Sequence, residues 1–320
     1  IQAMHATAMD KGTDYALAQD LDLTPALTDK ARMWATDASD LGDIDGAGFA
    51  PVGDSTTAFS GTFDGQDHTI RNLTIARPSA TKVGLFGNVT GTVSDVSITS
   101  STVVGESQVG SLVGNNRGRI DGVSASGDVS GSSFAVGGLV GKNSFDSTIT
   151  NADASVTVTG NNDAYNVGGL VGFNSRGSIT NAHATGDVSI SDDISSTDVG
   201  GLVGNNTSSP DNDDVGIIEN AYATGDVTAS GSTNVGGLVG RNNNGTINKA
   251  HASGTVKGTE NVGGLVGYAF VGTMAATIKN AYAIGNVEGD KHVGGLVGYN
   301  EGDTIQNAYA TGAVSGGAHV

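Results

Sequence analysis

Cysteine is absent from the 320-residue chain, which excludes a disulfide framework and any thiolate metal site. Proline numbers only 4 and aromatic residues make up 5% of the sequence, too few large side chains to fill one thick core. Positive charge is equally scarce: 15 Lys and Arg face 33 Asp and Glu, for a formal charge of -18. Such a balance argues against nucleic acid as a partner, because a run of phosphates could not be neutralised, and against anionic lipid for the same reason. No apolar run approaches the roughly 18 residues of a membrane span, so no direct membrane insertion is expected. Ile1 begins without an initiator Met or a signal peptide, and the sequence reads as a fragment.

What is abundant is glycine, at 51 residues, scattered through Val, Ile and Thr that alternate with small or polar side chains. Alternation is a strand signal, and the absence of a Gly-X-Y period excludes collagen. Small residues suit a thin core, a few side chains wide and repeated along an axis.

Self-similarity then decides the architecture. The block V-G-G-L-V-G starts at Val136, Val167, Val199, Val235, Val262 and Val293, with variants at Val83 (VGLFG) and Val109 (VGSLVG). Val320 sits where a further block would begin, so the repeats stop in mid-unit and more coils or another domain are expected beyond it. The intervals run from 26 to 36 residues, and half of them are 26 or 27. A minimum repeat of about 27 residues suits one coil of three short strands and three corners.

A second block, I-x-N-A-x-A-x-G-x-V, covers Ile179–Val188, Ile218–Val227, Ile278–Val287 and Ile305–Val314. Ala182, Ala184 and Val188 share one parity and Ile179 has the other, so a corner falls at Asn181. Its equivalents are Asp95, Gly122, Asn151, Asn220, Lys249, Asn280 and Asn307. All but Lys249 are residue types that tolerate a left-handed backbone. The extra residues of long repeats fall at fixed corners, as in Thr207 to Val215, Ala269 to Ala276 and Ser189 to Asp198. Insertion at corners with preserved strands is a property of solenoids. These features predict an all-β parallel β-helix, with coils about 4.8 Å apart and a rod of roughly 40 Å.

Residues 1–80 differ and read as an N-terminal cap that leads into the first coils, with 81–320 as the repeat array. Ile1 to Met9 suggests a short helix, Tyr15 to Leu23 a strand, and Asp37 to Gly48 a loop. Ala58 to Ile75 gives two alternating runs joined by the turn dipeptide Asp64-Gly65.

The V-G-G-L-V-G-x-N units resemble GLUG repeats. Gly48–Asp54, followed by F-S-G-T-F-D-G-Q-D-H-T-I-R-N-L-T-I, is similar to the lead-in of filamentous-haemagglutinin-like exoproteins and large bacterial surface adhesins. The resemblance covers residues 15–320 and implies a right-handed β-helical stalk that is secreted or on the cell surface, in agreement with the handedness of parallel crossovers. Related repeats flank some surface zinc peptidases, but H-E-x-x-H is missing from this sequence.

Several columns could carry chemistry. His183, Tyr222, His251, Tyr282 and Tyr309 fall on one outward column of successive coils, where rings would stack into a ladder or form a stripe that meets glycans. A hydroxyl column follows: Ser126, Ser155, Thr185, Thr224, Ser253 and Thr311, broken by Ile284. Asp211, Asp213 and Asp214 in an inserted loop, and Asp43 and Asp45 in the cap, are oxygen donors of the type Ca²⁺ takes. Catalysis by a β-helix would need neighbouring carboxylates. Asp64 and Asp67 with His68 are one candidate set; the column Asp128, Asp187 and Asp226, interrupted by Thr157 and Thr255, is the other. No enzyme activity is expected; the reading is a structural or adhesive stalk that contacts host or environmental glycans, surfaces or other segments of one large protein. A carbohydrate-active β-helix, whether binding protein, hydrolase or lyase, is the alternative.

Overall fold

The computed structural model describes residues 12–24, 47–191, 197–209, 215–272 and 276–320. Every named element is a β-strand, and every strand-to-strand ladder is parallel, forming a right-handed β-solenoid of about 8 turns. Equivalent residues of successive repeats face each other directly: Val167 pairs with Val199, Val199 with Val235, and Val235 with Val262. Each repeat is therefore one turn of a coil laid on its neighbour.

One coil contains four strand segments rather than the three expected, for example Ser178–Ala184, Val188–Ile190, Thr197–Gly200 and Val203–Thr207. The extra corner lies inside V-G-G-L-V-G, which reads as a single unit in the sequence. A Cβ on Gly201 would sit 2.1 Å from the Gly237 carbonyl oxygen, so the backbones of adjacent coils touch where the chain turns. The leucine that follows points to the axis: Leu170, Leu202, Leu238 and Leu265 are fully buried. The fourth segments form an eight-stranded sheet of their own.

The corner at Asn181 is present as expected. Asp95, Gly122, Asn151, Asn181, Asn220, Lys249, Asn280 and Asn307 all have φ between 51° and 63°. Ile179, Ala182 and Ala184 are all buried, so the left-handed residue switches the parity of the inward face. A second left-handed column, not anticipated, precedes the leading Val of each block: Lys82, Gln108, Ala135, Asn166, Asp198, Asn234, Asn261 and His292.

The amino-terminal region departs from its expected detail. Tyr15 to Leu23 is two short strands, Tyr15–Ala16 and Leu21–Asp22, each parallel to a part of Thr62–Arg71. The break is forced because Thr62–Arg71 itself turns a corner, at Gln66 and Asp67 with φ 49° and 60°. Asp64-Gly65 thus opens a corner within one coil, with a register shift against Thr92–Gly105, and joins no hairpin. Phe49, Phe59, Phe63 and Phe86 fill this end of the core, where later coils use Val, Ile, Leu and Ala. Ile1 to Met9 and nearly all of Asp37 to Gly48 lie outside the described residues.

Candidate functional site

A buried asparagine ladder runs through the interior. Asn116, Asn143, Asn174, Asn206 and Asn242 are fully buried on successive coils, each at the end of a G-x-N triplet. The Nδ2 of each donates to the Oδ1 of the next at 2.8 to 2.9 Å. The second amide hydrogen of Asn116, Asn174, Asn206 and Asn242 goes to a carbonyl of the following turn, as from Asn174 to Gly177 and Asn242 to Gly245. Each amide nitrogen and oxygen thus has at least one partner, which is the condition for burying it. The repeated N after V-G-x was the available signal, and only its position beside insertions is apparent from the sequence.

Ala269 interrupts this ladder, and the Asn242 amide instead meets Asp303 Oδ2 at 3.0 Å. Burial pushes the Asp303 carboxyl up to about 6, against the opposing effect of the Asn242 hydrogen bond. Asp198 is buried in the second left-handed column, where Asn205 and Asn234 donate to its two oxygens. Burial raises its pKa, while the Asn234 hydrogen bond and the Arg241 charge act the other way.

On the outside, His183, Tyr222, His251, Tyr282 and Tyr309 come together as one continuous column. Their ring centroids are 4.0, 5.0, 4.6 and 5.2 Å apart, with interplanar angles of 5° to 20°. His183 Nδ1 lies 2.7 Å from Asp153 Oδ1, which extends the column by one coil. Burial lowers the His251 pKa, and the nearby His183 adds to the effect. Ring faces are mostly occupied by neighbouring rings; edges and hydroxyls face solvent, and Tyr309 is 56% exposed. In the adjacent hydroxyl column, Ser155 and Thr185 are 2.6 Å apart.

Of the carboxylates considered for catalysis, Asp64, Asp187 and Asp226 hold corners, while Asp128 lies within the strand Arg119–Gly131, between Thr102 and Thr157 of the adjacent coils. Asp187 Oδ1 accepts the backbone N–H of Asp226, and Asp226 Oδ1 accepts that of Thr255, each one coil further on. Asn286 does the same for Ala313, so this column continues with a neutral residue. Asp64 caps the Gln66 N–H, and His68 and Arg71 both lie on Asp20. Asp43, Asp45, Asp211, Asp213 and Asp214 lie outside the described residues. No helix among the described residues is long and apolar enough to cross a membrane.

Comparison with known proteins agrees with this geometry. The chain is 33% identical over 184 residues to halomucin from Haloquadratum walsbyi, a match that covers 56% of this chain and 2% of halomucin. Among solved structures it is similar to a Bacteroides ovatus chain described as "a putative immunoglobulin A1 protease", with a TM-score of 0.56 and 19% identity over 94% of this chain and 78% of that one. At that identity the likeness shows the fold alone. The GLUG motif model matches residues 105–130, 132–159, 163–189, 195–228, 231–257, 258–288 and 289–315, one match per coil, and the chain belongs to the GLUG-motif family.

Proposed function

We propose that this chain is a non-catalytic rod segment of a larger secreted or cell-surface protein, which spaces other parts of that protein and makes repeated lateral contacts with neighbouring surfaces. The observation that carries this reading is the continuous coil-to-coil parallel pairing, which links Thr62 to Ala318 through every coil between them. A structure that transmits position along an axis needs such continuity, and each coil contacts chiefly its neighbours. The match to a small part of halomucin supports a repeat block within a very long protein. The stacked column from His183 to Tyr309 stiffens one face and offers a regular line of ring edges and hydroxyls for weak contacts that add by avidity.

Surface display of the chain on a heterologous bacterium tests the reading. Display is expected to raise retention on glycan-coated or cell surfaces, and Tyr222→Ala with Tyr282→Ala to lower it, while incubation with polysaccharides or immunoglobulin A1 releases no fragments. Cleavage of either polymer that is abolished by Asp187→Asn would overturn it in favour of an enzyme.

A further inference from the structure

A cluster of cations and rings occupies the outer side of the first four repeats, on a molecule that otherwise carries an excess of acid. Lys82, Arg117, Lys142 and Arg176 come from four successive coils, one from each. Lys142 Nζ lies 5.9, 6.0 and 5.7 Å from the ring centres of Phe134, Phe145 and Phe173. The guanidinium carbons of Arg117 and Arg176 lie 4.9 and 4.2 Å from the centre of the Phe145 ring. Tyr165 packs on Phe134 at 5.2 Å between centroids. Phe145 and Tyr165 are 44% and 42% exposed, unusually open for large rings in a chain with so few of them.

The arrangement is costly without a ligand. Lys82, Arg117 and Lys142 form no ion pair among the described residues, although acidic residues outnumber basic ones by 33 to 15. Asp146 follows Phe145 in the chain and forms no ion pair among the described residues either. Burial lowers the Lys142 pKa, and repulsion from Arg117, Lys82 and Arg176 lowers it further. Several other cations are matched across coils, as in Lys291 with Glu260 and Lys257 with Glu288. The like charges of Lys82, Arg117 and Lys142, which meet no carboxylate among the described residues and lie beside open rings, are the chemistry of an anion site with a hydrophobic floor.

We propose that this patch binds an anionic polysaccharide, with a pyranose face against Tyr165, the exposed edge of Phe145 beside it, and carboxylate or sulfate groups on Lys142, Arg117 and Lys82. These three cations span about 10 Å, two coil spacings, enough for about two sugar units. A nucleic acid fits less well, because its phosphates continue along a rod of formal charge -18 that would repel them. A sparsely charged glycan meets the patch and little else. The site lies on a different face from the ring column and does not depend on the rod reading.

Affinity electrophoresis and thermophoresis of the full chain with polygalacturonate, dextran sulfate, neutral dextran and duplex DNA decide the matter. Polygalacturonate or dextran sulfate is expected to bind and neutral dextran not to; which of the two binds tighter tells carboxylate from sulfate recognition. Arg117→Gln with Lys142→Gln should weaken binding at least tenfold, Phe145→Ala several-fold, and Lys257→Gln, away from the patch, less than twofold. Unchanged thermal midpoints establish that the variants fold, and Phe145→Ala alone carries the test if the double variant does not. Equal affinity in the patch variants overturns the proposal, as does tighter binding of DNA. Self-association lost in the same variants, with no polysaccharide bound, overturns it too and makes the patch a contact between copies.

Discussion

At the scale of single residues, the axis of the molecule is held by amides rather than by apolar contact alone. Asn174 accepts from Asn143 and donates to both Asn206 and Gly177. Asn174→Leu, which keeps the branching but not the polar atoms, strands those groups in a dry interior, and each unsatisfied group costs about 1–3 kcal/mol. A loss of about 3 kcal/mol or more is expected, read as a lower urea midpoint with an unchanged slope. Asp303 makes a different prediction, because its carboxyl titrates at about 6 in the folded chain against a usual value of 3.8. A raised acid pKa means that the folded state binds the proton first, so this group adds stability as pH falls through about 6 and reaches its full effect near 3.8. Above pH 6 the buried charge is a burden. Asp303→Asn should therefore raise the thermal midpoint at pH 7.5, by about 1–3 kcal/mol of stability, and the gain should fade by pH 4. A pH-independent difference between the two proteins would contradict the assignment.

At the scale of the coil, corners matter more than strands. Outside the axis a second amide ladder follows the left-handed column: Asn151 donates to Asp121, Asn181 to Asn151, and Asn220 to Asn181. Lys249 breaks it, and Asn280 turns to Asn248 instead, although Lys249 adopts the same φ of 51° as its Asn neighbours. A lysine holds that conformation at a cost that Asn largely escapes, and its exposed pair with Glu219 at 3.6 Å returns little. Lys249→Asn should stabilise by about 0.5–1 kcal/mol and reconnect Asn220 to Asn280, detectable as slower amide exchange at this corner. This column was legible because Asn, Asp and Gly recur there and the buried parity flips across it. The other left-handed column was less so: Asn166, Asp198, Asn234 and Asn261 favour that backbone, but Lys82, Gln108, Ala135 and His292 in the same column do not. The fourth strand segment was hidden for a related reason, since the Gly-Gly corner in V-G-G-L-V-G is required by close approach and carries no positive φ.

At the scale of the whole molecule, periodicity fixes what the sequence reveals. Anything repeated on each coil, the stacking of Val on Val or of Tyr222 on His251, appears as a column in the sequence. The cation and ring patch does not, because register partners there differ in type: Lys142 faces Phe173 and Phe134 faces Tyr165 on the next coil, so no recurring residue type marks the place. Quasi-one-dimensional order also means that a whole coil is a removable unit. Val158 pairs with Val188 and Thr159 with Ser189, so excision of residues 159–188 joins Val158 to Ser189 in register. Asn143 then faces Asn206, and Asn151 faces Asn220, so both amide ladders stay continuous. The shortened chain should unfold in one transition with an enthalpy lower by about 20 kcal/mol, at about 0.7 kcal/mol per residue removed. Calorimetry is the measurement. Excision by a register out of step, of residues 159–187, should instead flip the inward face of the junction strand and abolish the cooperative transition. If both deletions behaved alike, coil-on-coil stacking would not be what holds the rod together.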